Sequence, residues 1–293
     1  MTAVGVDRQA GSGGNSLPRG VWPLTLVFTL GLISLLFEHL VADTPRSGAF
    51  DMYNAPRLDR LAANMETGAT GIVLIGDSRL RYAVAAEKDF SKLLSDRLGV
   101  PVSVVRMTNN WAIWDDFSGL APRILEIGPQ LVVLQEDLFA KERETQSRLF
   151  LGRAYLIWQL TGHGPWNPGN LDQNSMQLEM RCEVLADEDV AARKKRVFRW
   201  VRIDPSGPNS RALNAFVAQA EAAGIGIAVL PVPITTSGDA LPKHDRPPDH
   251  RTLDLSVEVP DEAYCDVVHM NAEGRGMFTE ALAGPLIERI RGR

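Results

Sequence analysis

Cysteine is scarce in this 293-residue chain: Cys182 and Cys265 are its only two. They lie far apart and match no metal-ligand spacing, so a thiolate-built metal site is excluded. One disulfide and two buried thiols both fit them. A basic excess is missing too. Lys and Arg number 31 against 36 Asp and Glu, for a formal net charge of -5, so composition makes no case for nucleic acid as a partner. Disorder is excluded for most of the chain by a hydrophobic content of 45% and a charged content of 23%, both ordinary for a globular protein. Internal repeats are absent, and only one apolar run is long.

That run is Val21–Phe37, seventeen residues without a charge. Residues 1–20 before it are polar and rich in Gly and Ser, and read as a flexible tail. Its length is at the short end for a bilayer span, and flanking residues extend it to a span over 21–42. A cleaved signal peptide needs a shorter apolar region and small residues at both cleavage positions, of which Leu40-Val41-Ala42 supplies one. A buried core helix is the plainer alternative, but polar sequence isolates the run on both sides. The expectation is an uncleaved signal anchor, single-pass in the cytoplasmic (inner) membrane, with the body outside the cytoplasm (periplasmic). Arginines flank the run on both sides, so the positive-inside rule does not set the orientation. Residues 43–67 read as a linker and 68–293 as the folded domain.

Past residue 70, short apolar runs alternate with amphipathic stretches. "GIVLIGDS", "PVSVVRM", "PQLVVLQEDLF" and "IGIAVLPVPI" read as strands. Between them lie helical patterns, two of which end at Gly99 and Gly128, placed as C-caps. Such alternation implies βαβ units and a mostly parallel sheet with helices on both faces, an α/β fold. Sites in these sheets form at the carboxyl ends of strands. Residues 140–210 read as a long insertion. Within it, Arg193–Arg202 holds six basic residues and no acid, either a solvated helix face or a docking strip for an anionic polymer, lipid headgroups or a partner.

The serine in Gly76-Asp77-Ser78 closes the first strand. A serine hydroxyl becomes a good nucleophile only when a base takes its proton and a third group orients that base. Of five histidines, His39 lies beside the apolar run, and His163, His244 and His250 lie in polar loop sequence. His269 differs: it stands between the last strand and the last helix, three residues after Asp266. That places a carboxylate–imidazole pair at the sheet edge where a strand-end serine would meet it.

Gly76-Asp77-Ser78 after the first strand, with Asp266-x-x-His269 before the last helix, resembles the GDSL or SGNH hydrolase superfamily over roughly residues 68–290. The resemblance implies a flavodoxin-like, three-layer α/β/α fold and ester chemistry with no metal and no cofactor. Ser78 would be the nucleophile, His269 the general base and Asp266 its orienting acid. The family places a Gly after the second strand and an Asn after the third as oxyanion donors. This chain has Thr108-Asn109-Asn110-Trp111 and Gln135-Glu136-Asp137 there. An ionised carboxylate cannot donate, so the expected oxyanion donors are the Ser78 N–H with Asn109 or Asn110, which also read as plain turn residues. Arg79 and Trp111 are candidate substrate contacts, for an anionic group and for stacking on sugar, and Arg81 and Trp114 carry the same two readings. The alternatives are pairing with surface acids for Arg79 and core packing for Trp111 and Trp114.

The ending "DVVHMNAEGRGMFTEAL" resembles membrane-anchored members that work with membrane-bound O-acyltransferases on cell-envelope polysaccharides, of the alginate-acetylation or D-alanylation kind. This implies an acyl donor and a polysaccharide acceptor, with acyl transfer or ester hydrolysis through an acyl-serine. Two further readings stand beside it: a non-catalytic scaffold on the same fold, and a cytoplasm-facing lipase or thioesterase.

Overall fold

The computed structural model describes residues 25–29, 32, 48–109, 112–143, 201–235, 250–255 and 257–292. The chain divides into two compact units, Met1–Thr44 and Pro45–Arg293. In the first, Thr25–Thr29 and Leu32 are helical, and Leu26, Val27, Phe28 and Leu32 are exposed. Among the described residues no helix is long and apolar enough to cross a membrane. The tail expected at 1–20 and most of the span expected at 21–42 lie outside the described residues.

In the second unit the strands are β1 (Thr70–Asp77), β2 (Val102–Asn109), β3 (Leu131–Gln135), β4 (Lys141–Arg143), β5 (Val201–Ile203) and β6 (Gly226–Leu230). The helices are α1 (Gly48–Glu66), α2 (Ser78–Ala83), α3 (Glu87–Leu98), α4 (Ala121–Ile127), α5 (Pro208–Ala222) and α6 (Ala272–Arg291). Four strands form one sheet in the order β2-β1-β3-β6, and every neighbouring pair is parallel.

The strands are apolar on both faces because both faces are covered. Side chains alternate strictly, as a period of two demands. Val73, Ile75, Val105, Met107, Val132 and Leu134 pack with Phe50, Leu58 and Leu61 of α1, Ile124 of α4 and Phe216 of α5. Ile72, Leu74, Val104, Leu131 and Val133 pack with Leu80 of α2, Phe90 and Leu94 of α3 and Phe278 and Leu282 of α6. The result is the three-layer α/β/α arrangement with a parallel sheet. Helices α3 and α4 end at Gly99 (φ 80°) and Gly128 (φ 61°), the left-handed C-caps that glycine adopts without a Cβ penalty.

Three expectations about boundaries change. Residues 43–67 are not a linker: α1 occupies most of them, and Phe50, Leu58 and Leu61 are buried. Pro56 inside the helix hides it from a propensity reading, since proline removes an interior hydrogen bond yet burial of an apolar face carries the helix. The third strand stops at Gln135, and Glu136–Phe139 turns as a 3-10 helix. The insertion expected at 140–210 is bracketed by β4 and β5, which pair antiparallel, and α5 already begins at Pro208. Residues 144–200, with His163, Cys182 and most of the basic strip, lie outside the described residues, as does His244. Cys265 is disulfide-bonded.

At Gly76 the sheet leaves no room for a side chain. A Cβ there would fall inside the contact radius of Gln135 Oε1 and only 2.7 Å from Leu80 Cδ2. Gly76→Ala is expected to destabilise the domain by about 1–3 kcal/mol through overpacking, read as a lower urea midpoint at an unchanged slope.

Candidate active site

Strand β1 runs into α2 without a loop, so Ser78 occupies the first position of a helix directly beyond a strand's carboxyl end. Asp77 caps that helix: its Oδ1 accepts the Arg79 N–H at 2.9 Å. From Gly71 to Val84 every residue is buried except Ser78. One hydroxyl is thus offered to the outside by a segment otherwise wholly interior.

His269 arrives from the turn before α6. Asp266 Oδ1 accepts the backbone N–H groups of Val268 (2.9 Å) and His269 (2.8 Å), folding the four residues into a single turn. Cys265 N–H donates to the His269 carbonyl at 2.7 Å and closes the same turn from its other end. With Oδ1 spent on the backbone, Oδ2 lies 2.8 Å from His269 Nδ1. A carboxylate only accepts, so Nδ1 carries the hydrogen and Nε2 presents its lone pair. Nε2 lies 2.8 Å from Ser78 Oγ. Burial alone would raise the pKa of Asp266, but the hydrogen bond from His269 and the two backbone N–H groups reverse the sign and hold it below the usual carboxylate range. The imidazole has a third neighbour in the Tyr82 ring, 4.7 Å between centroids.

The geometry therefore brings together Ser78, His269 and Asp266, residues 191 and three positions apart in the chain. Asn109 ends β2 in register with Asp77, buried beside the strand that leads into the serine. Asn110 and Trp111 lie outside the described residues. Arg79 is corrected: it is buried rather than presented to a substrate, and its guanidinium pairs with Asp77 (3.1 Å) and with Asp137. Helix geometry turns it inward, because its backbone N–H is tied to the cap and its Nε reaches the same carboxylate. Arg81 is buried as well, donating to the Thr108 hydroxyl and carbonyl at 3.1 Å each. Trp114 is a core residue against Phe117 and Phe216, not a sugar platform.

Three residues beside the triad were given no role by the sequence reading. Gln135 brackets Asp77, accepting its N–H through Oε1 (2.8 Å) and donating through Nε2 to Oδ1 (3.0 Å). Lys141 Nζ contacts Asp77 Oδ2 and, at 3.2 Å, Asp137 Oδ2. Tyr82 is the third. The Gln135-Glu-Asp137 motif pointed to the first of these, but nothing in "LFAKER" or "SRLRYA" singles out Lys141 or Tyr82.

No family model and no curated protein sequence matches this chain. Solved structures that match include a lipase, Lip_vut3, from a goat rumen metagenome, at 8% identity and a TM-score of 0.35, covering 74% of this chain and 97% of that one. A putative lipolytic protein of the G-D-S-L family from Desulfitobacterium hafniense DCB-2 matches at 14% identity and a TM-score of 0.36, covering 74% and 99%. A lipase/acylhydrolase from Enterococcus faecalis matches at 16% identity and a TM-score of 0.31, covering 76% and 96%. Similarities this distant carry no argument about chemistry, which rests on the distances above.

The Asp77 carboxyl has a measurable signature. Burial would raise its pKa, yet Arg79 and Lys141 hold it far below its ordinary value of 3.8. A depressed folded pKa means stability present above the unfolded value and lost as pH falls below it. Asp77→Asn is expected to cost about 3–5 kcal/mol at pH 7, the penalty for breaking a buried pair. The gap to the wild type should narrow progressively below about pH 4, as followed by urea unfolding across that range.

Proposed function

We propose that the chain is a serine-dependent acyl-transfer enzyme acting on esters, in which Ser78 is the nucleophile, His269 the general base and Asp266 the group that orients it. The observation that carries this reading is the relay of two 2.8 Å contacts, Asp266 Oδ2 to His269 Nδ1 and His269 Nε2 to Ser78 Oγ, ending at the one open residue of a buried segment. A scaffold that had lost its chemistry would need no such alignment.

In this reading Ser78 Oγ attacks the ester carbonyl while its proton passes to His269 Nε2. The imidazolium is stabilised by the Asp266 carboxylate and returns that proton to the departing alcohol oxygen as the carbonyl re-forms. A water or sugar hydroxyl then attacks the acyl-serine, with His269 again taking the proton and returning it to Ser78 Oγ as the acyl–oxygen bond breaks. The oxyanion faces the Ser78 backbone N–H, in the first turn of α2, and Asn109 at the end of the neighbouring strand. A missing donor of this kind costs about 2.7–4 kcal/mol of transition-state stabilisation.

The acceptor in this proposal is a cell-envelope polysaccharide and the transferred group an acetyl, with the protein held at the membrane by residues 21–42 and its catalytic unit outside the cytoplasm, beside a membrane-bound O-acyltransferase. The apolar run without a charge and the disulfide-bonded Cys265, which suits an oxidising compartment, support that placement.

Acetate release from model esters and acetyl transfer to oligosaccharide, compared in wild type and Ser78→Ala, test the reading. Ser78→Ala is expected to lose both, by on the order of 10⁴-fold or more in kcat. Equal rates in the two proteins would overturn the nucleophile. Asp266→Asn keeps an oxygen for the backbone N–H groups but sets an amide hydrogen against Nδ1–H. It is expected to lose on the order of 10²–10⁴-fold in kcat through the wrong tautomer, with little change in unfolding midpoint.

A further inference from the structure

Beneath Ser78 lies a second set of charges that the relay does not use. Asp77 and Asp137 are two carboxylates facing the same two cations. Arg79 Nη2 reaches Asp77 Oδ2 at 3.1 Å and also Asp137 Oδ2, while Lys141 Nζ bridges the same two oxygens. Two negative and two positive groups make the cluster neutral. Its members come from four elements: the last residue of β1, the first turn of α2, the 3-10 turn after β3, and β4. Asp77, Arg79 and Lys141 are buried, with Asp137 the most open of the four. Lys141 is itself held in place, since Asn209 Nδ2 donates to its carbonyl at 3.2 Å and the neighbouring Glu142 accepts the Asn209 N–H at 2.7 Å.

The inference rests on the nucleophilic role proposed for Ser78. Attack by the serine creates a negative charge on the substrate oxygen within one residue of the buried Asp77. Two carboxylates with a single cation would leave a net negative charge there, and in a poorly solvated site that repels the developing oxyanion strongly. We infer that Lys141 is a positioning residue that balances the two carboxylates under Ser78, and that the net charge of this cluster, rather than any one contact in it, sets how readily the serine is acylated. Lys141 touches neither the serine nor the imidazole and acts through Asp77 and Asp137. Both carboxylates are held below their ordinary pKa, which keeps them charged at neutral pH and makes the second cation necessary.

A fluorophosphonate reports this without knowledge of the natural ester. Ser78 Oγ bonds to phosphorus, fluoride leaves, and His269 takes the proton. Lys141→Gln keeps a hydrogen-bonding group and removes one positive charge. It is expected to slow labelling at least tenfold and to lower kcat on a model ester while KM changes less than about threefold. Lys141→Arg should lose less than Lys141→Gln. In the doubly substituted Lys141→Gln/Asp137→Asn protein the cluster is neutral again, and labelling should recover most of the loss. A double variant as slow as Lys141→Gln, or slower, overturns the proposal, because a purely structural role makes the second substitution additive. Asp137→Asn alone leaves an excess positive charge and is expected to label faster than wild type. If Lys141→Gln does not fold, a folded Asp137→Asn protein that labels more slowly than wild type overturns the proposal in its place. Absence of labelling in the wild type would instead remove the nucleophile and the reading beneath it.

Discussion

The constraint on which the rest of the site depends is the burial of one carboxylate at the end of β1. An ionised side chain out of water is costly unless it is paired and hydrogen-bonded on every side. Asp77 meets that demand with the Arg79 and Lys141 cations, the Gln135 amide and the Arg79 backbone N–H. Each partner comes from a segment that must therefore end in a particular place. Gln135 locks the end of β3 beside the end of β1, and Lys141 pulls β4 beneath them. Arg79 fixes the rotation of α2, and Ser78, one residue earlier in the same turn, is left pointing outward.

The far end of α2 is held by charge of the opposite sign. Arg106 donates to the carbonyls of Arg81 and Ala85 at 3.1 Å each and to that of Val84. Arg275 donates to the Tyr82 carbonyl at 3.0 Å. Burial, aided by Arg81, Arg57 and Arg275 against the opposing Glu87, brings the Arg106 pKa down to about 10, so it remains charged at neutral pH. A helix of six residues has little stability of its own. This one is fixed by an anion at its amino end and cations at its carboxyl end, the orientation its dipole prefers.

What was legible in the sequence follows from what each signal encodes. Strand–helix alternation reports burial on both faces, and the four sheet strands and their parallel pairing came through it. That Ser78, Asp266 and His269 meet was legible because a serine at a strand's end and a carboxylate three residues before a histidine stand in a recognisable order, and a three-residue spacing is short enough for a single turn. Arg79 shows where such reading ends. A sequence states that a residue is charged, not whether it faces water, and a charge beside a nucleophile resembles a substrate contact until its own partner is found. The helix over 48–66 was hidden for a related reason, since its burial depends on a sheet built from later sequence and its interior proline argues against a helix. Lys141 lies 64 residues from the carboxylate it serves, and no local pattern records such a pairing.

The imidazole shows how these layers meet. A histidine ring between a carboxylate and a hydroxyl can still swing about its side-chain torsions, and each productive alignment must be won against that freedom. Here Nδ1 is held by a carboxylate whose other oxygen is bound into the backbone of the same turn, and Nε2 by a serine on a helix fixed at both ends. Tyr82 packs on the ring from that same helix. Both Ser78 and Tyr82 thus come to His269 from one element, so any displacement of α2 moves the serine hydroxyl and the wall of the imidazole together. Their mutual geometry is preserved by the buried charges that hold α2, and the precision of the relay depends on groups outside it.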